Sequence, residues 1–223
     1  NSKMMLDMID QGGLIPSTMI PERLKIEDVS SDQIIELAIG EYRISGLLDV
    51  GVSGEIAIFL VESIKAEFYK RMLDVDPITM DTVNSIFNDA ASFVTSKLEK
   101  HKGYNWVLLI ESGSEVKLNC YNNTCYQLVE GQVVEYHGSK GLKKGAFFEV
   151  NREGYLLFTS DGFVDQLSAD GSHSFGQRKL ISALANYSKM KQEDILMNLK
   201  TDINNWRGSM DLTDDITIIT YKL

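Results

Sequence analysis

Histidine and cysteine are scarce in this sequence, and both scarcities narrow the chemistry that the chain can perform. The 223 residues include 3 histidines and 2 cysteines. His101, His137 and His173 lie far apart beside Gly, Ser and Lys, so we expect surface loops and no Ser-His-Asp or Cys-His catalytic group. Cys120 and Cys125, spaced C-x4-C, have no second Cys/His pair that would complete a zinc site. These two thiols predict core or hairpin residues of a cytoplasmic protein.

Positive charge, proline and long apolar runs are lacking as well. Lys and Arg number 22 against 32 Asp and Glu, and the resulting net charge of −10 argues against a nucleic-acid-binding surface. No apolar run could span a bilayer and no signal peptide is recognisable, so we expect no membrane insertion. A chain of 223 residues that is 43% hydrophobic with 3 prolines predicts one large domain with its own core. Because the chain begins at Asn1 rather than Met, we expect a fragment of a longer protein.

The chain divides into a short arm and one domain. Residues 1–22 contain a short helical pattern, Gly12-Gly13 and two prolines, which predict a linker or docking arm. Residues 23–223 predict three strands, two helices, a β-meander, two more helices and a final strand. Since this order does not alternate as βαβ, we expect an α+β fold in which helix pairs pack outside antiparallel sheets.

Periodicity and turn residues give approximate bounds for these elements. The predicted strands cover residues 23–29, 33–39, 42–49, 106–111, 116–121, 126–129, 133–136, 146–150, 155–159 and 216–221. The apolar stripes of the predicted helices run over residues 57–72, 83–98, 176–187 and 192–206. The second helix begins at Thr79 or Asp81 and is closed by Gly103.

Two aspartate-bearing segments adjoin apolar β-runs and are the most informative feature of the sequence. SDGFVD at residues 160–165 follows a strand, and DDIT at residues 214–217 leads into one. Carboxylates at strand ends are held on rigid backbone, which is how a fold fixes oxygen ligands around Mg²⁺ or Mn²⁺. The alternative is that Asp simply favours turns at strand ends.

The two segments resemble the late motifs of the PPM (PP2C-like) serine/threonine phosphatases, and most closely those of the bacterial SpoIIE/RsbU/RsbX branch. FTSDG at residues 158–162 and DDIT at 214–217 are the strong pair. LDVGVSGEIA at residues 48–57 resembles the Asp-Gly-x-Gly-x-Gly segment that leads into the first long helix of the family. SSD at residues 30–32 takes the place of an early Gly-Gly-Asp, and SFG at 174–176 opens the third helix. The resemblance extends over about residues 24–223.

This resemblance implies a four-layer α-β-β-α sandwich of two antiparallel sheets, with a site for two Mn²⁺ or Mg²⁺ ions at one edge. Asp49, Asp161 and Asp214 would be the catalytic carboxylate ligands, Asp32 would assist them, and Val50 would contribute its carbonyl. Four converging acids cannot all stay ionised without a cation. The metal ions would activate water for attack on phosphorus, so that no phosphoenzyme is required.

The sequence departs from the family pattern at two early positions. Val50 stands where Gly normally follows the second Asp, and Ser30-Ser31 replaces Gly-Gly. A rival alignment sets Ser45-Gly46-Leu47 on the early motif, but it places Leu47 where an Asp is needed. Asp165 and Asp215 lie near the motifs, either as residues supporting the site or as solvent-facing turn acids.

Three functions are consistent with these residues. The first is an active phosphatase acting on phosphoserine or phosphothreonine of a regulatory protein, such as an anti-sigma antagonist, with a sensor or coiled-coil module preceding the arm. The second is a catalytically weak PPM-like module that signals by binding a partner, which the changes at Ser30-Ser31 and Val50 favour. The third is an unrelated β-rich binding domain, in which the paired Asp motifs are coincidental.

Overall fold

The structure is a computed structural model, and it describes residues 21–25, 32–52, 55–96, 104–140 and 145–223. The predicted arm, apart from its last two residues, and His101, Gly103 and Ser30-Ser31 lie outside these ranges. The strands are β1 Pro21–Lys25, β2 Asp32–Ile39, β3 Tyr42–Asp49, β4 Asn105–Ser112, β5 Glu115–Tyr121, β6 Thr124–Val129, β7 Gln132–His137, β8 Ala146–Glu149, β9 Tyr155–Thr159 and β10 Thr217–Lys222. The helices are α1 Glu55–Met72, α2 Met80–Thr95, α3 Asp161–Asp165, α4 Gln177–Tyr187 and α5 Gln192–Arg207.

The strands form two antiparallel five-stranded sheets. The first sheet has the order β2-β3-β4-β5-β8, and the second has the order β1-β10-β9-β6-β7. Strand β4 explains why the sheets stack, because its apolar residues are buried on both faces. Trp106, Leu108 and Ile110 pack in the cluster with α1 and α2, whereas Val107 and Leu109 pack between the sheets.

Helix pairs cover the two outer faces. The face of α1 that is buried on the first sheet carries the apolar stripe predicted from the sequence, namely Ala57, Leu60, Val61, Ile64, Phe68 and Met72. On the second sheet, Leu180 and Leu184 of α4 and Leu196 and Leu199 of α5 share one cluster with Ile218 of β10. The predicted four-layer α-β-β-α architecture is therefore confirmed. No helix in the described ranges is both long and apolar enough to cross a membrane.

The cysteines and the described histidines lie largely as predicted. Cys120 and Cys125 are free, buried thiols in β5 and β6, which are consecutive in sequence but belong to different sheets. Both lie within the apolar cluster between the sheets. His173 is exposed in a loop, while His137 is the last residue of β7 rather than a loop residue.

Residues 160–165 differ from the sequence prediction of a turn, because Asp161–Asp165 is a five-residue helix. The pattern Ser-Asp-Gly is typical of turns, and one helical turn is too short to produce a periodic apolar stripe. The helix forms here because Gly162 and Phe163 are buried, with Phe163 packed edge-on against Phe175 at 5.2 Å between ring centroids.

Candidate active site

Three polar residues stand in a row at one end of the first sheet. Asp32 begins β2, Asp49 ends β3 and Asn105 begins β4, and the antiparallel register sets Asp32 opposite Asp49 and Asp49 opposite Asn105. All three residues are buried. The two earliest predicted metal ligands are therefore direct neighbours across a pair of strands.

Ser160 joins the two aspartate-bearing segments at the corresponding end of the second sheet. Its hydroxyl donates to the carbonyl oxygen of Asp215 (3.1 Å) and accepts from the amide of Thr217 (3.0 Å). The Ser160 amide in turn donates to the carbonyl oxygen of Thr217 at 3.0 Å. Although Ser160 is the N-cap residue of α3, its side chain makes no capping bond. The serine of the motif thus connects two strand ends instead of capping the helix.

The charge of Asp161 depends on the other predicted ligands. Desolvation by the surrounding protein raises the pKa of Asp161 to about 6, and the negative charges of Asp49, Asp214 and Asp165 contribute in that order. Asp49, Asp161 and Asp214 are therefore close enough for electrostatic coupling, although they come from three separate parts of the chain. Asp161 and Asp214 are exposed at the surface, whereas Asp49 is 7% exposed.

Asp32 lies deeper, where the two sheets meet. The pKa of Asp32 is raised to about 7, mainly by burial. The charges of Asp49 and Asp215 add to the rise, and hydrogen bonding to the hydroxyls of Ser160 and Thr217 opposes it. The structure thus gives Asp215 an electrostatic role at the site through Asp32. Asp165, at the end of α3, is exposed, and its charge contributes to the raised pKa of Asp161.

The raised pKa of Asp32 predicts a stability that falls with pH when no metal is bound. In the unfolded chain this carboxyl ionises near 3.8, while in the folded protein it keeps its proton up to about pH 7. The contribution of Asp32 to the free energy of unfolding is fully present below pH ~4 and is lost as the pH rises towards 7. At roughly 1.4 kcal/mol per pKa unit, the loss is at most about 4 kcal/mol. Asp32→Asn should remove this loss and stabilise the metal-free protein at pH 8.

Urea unfolding in the presence of a chelator, at pH 5 and pH 8, measures this effect. Asp161 titrates with the same sign, since its pKa is raised to about 6, so the variant should retain a smaller decrease in stability. Equal decreases in the wild type and in Asp32→Asn would contradict the prediction.

The carboxylate of Asp49 is held by two hydrogen-bond donors that sequence reasoning did not identify. The side-chain amide of Asn105 donates to Oδ2 (2.9 Å), and the backbone amide of Gly51 donates to Oδ1 (3.0 Å). Asn123 donates to Oδ1 of Asn105 (3.2 Å) and to the carbonyl oxygen of Thr159 (3.1 Å). This chain of amides connects Asp49 in the first sheet to the strand that leads into Asp161. No sequence signal pairs these asparagines, because Asn105 begins β4 and Asn123 lies in the turn between β5 and β6.

Removing the Asn105 amide should weaken cation binding without unfolding the domain. Residues that only orient a metal ligand typically change affinity by roughly 10- to 100-fold when replaced. We expect Asn105→Ala to raise the dissociation constant for Mn²⁺ by that amount in calorimetric titration. Asn105→Ser, which keeps a donor, should lose less, and Asn186→Ala on the exposed side of α4 should change nothing. Unaltered Mn²⁺ affinity in folded Asn105→Ala would show that the amide does not position Asp49.

Val50 and Gly51 together account for the departure at the early motif. Val50 is 3% exposed and packs in the core formed with α1 and α2, while Gly51 has φ +61°, in the left-handed region. The turn after Asp49 therefore has its glycine one position later than the family pattern. Participation of the Val50 carbonyl in metal binding stays a prediction.

These donors fit an oxygen-ligated divalent cation in kind and charge. Such an ion would relieve the repulsion that Asp161 experiences from Asp49 and Asp214. Across the described ranges, however, no three His, Cys, Asp or Glu side chains are arranged as a ready metal-binding group. Three of these carboxylates could therefore share one ion only after drawing closer together.

A recess of about 280 Å³ opens beside Asp161. It lies between the β5–β6 turn, the end of β7, and the helices α3 and α4. Most of its lining residues carry a polar group in the side chain, and the full set is Asn122, Asn123, Thr124, Tyr126, His137, Gly138, Lys140, Thr159, Ser160, Asp161, Val164 and Gln177.

Comparison with known proteins supports the resemblance drawn from the aspartate motifs. Residues 145–223 match the family described as Stage II sporulation protein E (SpoIIE). This region contains both late motifs, α3 and β10. No curated protein sequence matches the chain significantly.

Solved structures of PP2C-type domains share the fold. The SiaA-PP2C domain of Pseudomonas aeruginosa is similar at a TM-score of 0.72 and 15% identity, over 100% of this chain and 94% of that one. The Bacillus subtilis SpoIIE structure contains a PP2C phosphatase domain and a fragment of the regulatory domain. It is similar at a TM-score of 0.65 and 14% identity, over 92% of this chain and 63% of that one. The RsbU and RsbW domains of a Mycobacterium tuberculosis protein are similar at a TM-score of 0.64 and 13% identity, over 92% of this chain and 59% of that one.

The chain thus spans somewhat less than two thirds of the last two structures. At these identities the structural likeness establishes the fold, while the sequence match establishes the relation to SpoIIE for the C-terminal part. This chain has the PP2C-like phosphatase fold, and its residues 145–223 match the SpoIIE family.

Proposed function

We propose that this domain is a metal-dependent protein serine/threonine phosphatase that dephosphorylates a regulatory partner protein in bacterial signalling. The observation that carries the proposal is the electrostatic coupling of Asp49, Asp161 and Asp214 at one edge of a PP2C-like sandwich. A carboxyl such as that of Asp161, whose pKa is raised by burial and by neighbouring carboxylates at an exposed edge, is poised to bind divalent cations.

Asp49, Asp161 and Asp214 would hold Mn²⁺ or Mg²⁺, with Asp32 behind them and the Val50 carbonyl as a further ligand. Two such ions would lower the pKa of bound water and neutralise the charge of the phosphate. The chain itself orients Asp49 through Asn105 and Gly51, and it fixes the spacing of the Asp161 and Asp214 segments through Ser160.

The cysteines support hydrolysis by water rather than through a thiol nucleophile. Burial raises the pKa of Cys120 to about 12, and burial also raises the pKa of Cys125. Only the thiolate is a competent nucleophile, so these two residues are inert at neutral pH. A phosphoenzyme on cysteine is therefore not part of the proposal.

The substrate and setting are inferred from the similar proteins. The Mycobacterium tuberculosis structure has RsbU and RsbW domains, and the Bacillus subtilis structure includes a fragment of a regulatory domain beside the phosphatase domain. We accordingly propose a cytoplasmic protein whose substrate is phosphoserine or phosphothreonine on a regulatory protein, such as an anti-sigma antagonist. The arm at residues 1–22 would join the domain to a sensor or coiled-coil module.

Metal-dependent release of phosphate tests the function. The domain should hydrolyse p-nitrophenyl phosphate and a phosphoserine peptide with Mn²⁺ or Mg²⁺, and it should lose this activity after dialysis against a chelator and regain it when metal is restored. Full activity in the chelated protein would overturn the metal-dependent mechanism.

A catalytically weak signalling module is the second candidate. It is favoured by the absence of a ready three-ligand group in the described ranges and by Val50 in place of a family glycine. Such a module would bind phosphopeptides in the presence of Mn²⁺ without releasing phosphate. The same assay, combined with a binding measurement, therefore separates the two functions.

A further inference from the structure

The recess beside Asp161 contains a lysine that the proposed hydrolysis does not use. Lys140 is the one Lys or Arg among the lining residues of this recess, in a protein with a net charge of −10. In the described part of the chain, no ion pair involves Lys140. Glu135 contacts two of the lining residues, because it accepts a hydrogen bond from Gln177 (2.9 Å) and lies 3.6 Å from the ring of His137. The positive charge of Lys140 is thus open to a ligand in the recess.

Hydrogen bonds fix the backbone next to Lys140 relative to the active site. The backbone amide of Asn122 donates to the carbonyl oxygen of Ser139 (2.9 Å), and the backbone amide of Gly138 donates to the carbonyl oxygen of Asn123 (2.8 Å). Asn123 also donates to the carbonyl oxygen of Thr159, two residues before Asp161. The chain segment that presents Lys140 is therefore tied to the strand that presents Asp161. A ligand held by Lys140 would have a defined position relative to the reacting phosphate.

We propose that this recess binds a carboxylate side chain that flanks the phosphorylated residue of the substrate protein, with Lys140 as its charge partner. This inference rests on the proposed phosphatase function. A volume of about 280 Å³ is at the lower end of ligand-pocket sizes and suits one or two side chains. Lys140 and Asp161 line the same small recess, and neighbouring residues of an extended chain are about 3.3–3.6 Å apart along its axis, so the carboxylate belongs close in sequence to the phosphorylated residue.

Peptide pairs that differ by one charge test the inference. Both peptides of a pair contain one phosphoserine, and they differ at one position, where one peptide has Glu and the other has the isosteric Gln. The varied position runs from two residues before the phosphoserine to two residues after it. Fluorescence anisotropy with Mn²⁺ gives the affinity, and phosphate release gives kcat/KM. In the wild type, we expect the best Glu peptide to bind about 5-fold more tightly than its Gln counterpart, as for a partly exposed ion pair.

Lys140→Gln should reduce this ratio to about one, and Lys140→Glu should favour a Lys-containing peptide instead. Lys200→Gln, with the same charge change on the exposed side of α5, should keep the wild-type ratio. Equal binding of Glu and Gln peptides by the wild type would overturn the inference. Equal weakening of both peptides in Lys140→Gln would also overturn it, because Lys140 would then act on the phosphate. A Glu preference in binding without any phosphate release would instead refute the phosphatase function and leave the carboxylate subsite intact.

Discussion

Asp161→Asn should abolish metal-dependent turnover while the fold survives. The substitution keeps the shape of the side chain and removes the charge that couples to Asp49 and Asp214. Replacing residues that merely support a metal ligand costs roughly 10- to 100-fold, so loss of a direct ligand should lower kcat/KM by more than about 100-fold. Because Asp161 is exposed and its ionisation is disfavoured by its neighbours, the metal-free variant should be at least as stable as the wild type at neutral pH.

Asp211→Asn is the matched control for this experiment. Asp211 is exposed in the same loop as Asp214, and the substitution is chemically identical. Phosphate release, Mn²⁺ titration and thermal unfolding of the two variants separate a ligand effect from a general change in charge. If the wild type and Asp161→Asn hydrolyse a phosphoserine peptide equally well, the proposed mechanism is wrong.

Most of the fold could be predicted because each element carries a local signal. Strands Tyr42–Asp49 and Tyr155–Thr159 have the predicted bounds, since Gly40-Glu41 and Glu153-Gly154 mark their starts as turns. The helix Met80–Thr95 ends earlier than its apolar stripe suggested. The start of this helix is determined locally, because Thr79 and Thr82 form a reciprocal capping box.

The site was only partly predictable, because its supporting contacts connect residues that are distant in the chain. Asp49, Asp161 and Asp214 could be proposed from motifs, and the structure brings them into electrostatic contact. Asn105 and Asn123 escaped prediction because the sequence carries no signal that pairs a side-chain amide at a strand end with one in a distant turn. The same holds for Lys140, whose position beside Asp161 depends on hydrogen bonds between separate turns. Motifs identify which residues react, whereas the strand register decides which residues support them.

Gly162→Ala should be the most damaging small substitution near the site. A Cβ at this position would overlap the carbonyl oxygen of Asp215 and lie 3.0 Å from the carbonyl carbon of that residue. Both obstacles are backbone atoms, so the added methyl group can be accommodated only if the Asp214 segment moves away from Asp161. Displacements of about 1 Å at a reacting centre can cost about 100-fold in rate, and overpacking typically costs about 1–3 kcal/mol of stability.

Gly113→Ala separates this steric effect from the general consequences of replacing glycine. Gly113 lies in the β4–β5 turn with φ +54°, and a Cβ there would meet no heavy atom within 4 Å. That variant should lose about 1 kcal/mol through backbone strain and keep its activity. Urea unfolding and the rate of phosphate release at saturating Mn²⁺ compare the two variants. Ser160 donates to the Asp215 carbonyl and Gly162 lies close against it. A fully active Gly162→Ala protein would therefore mean that the spacing of the two aspartate segments does not control catalysis.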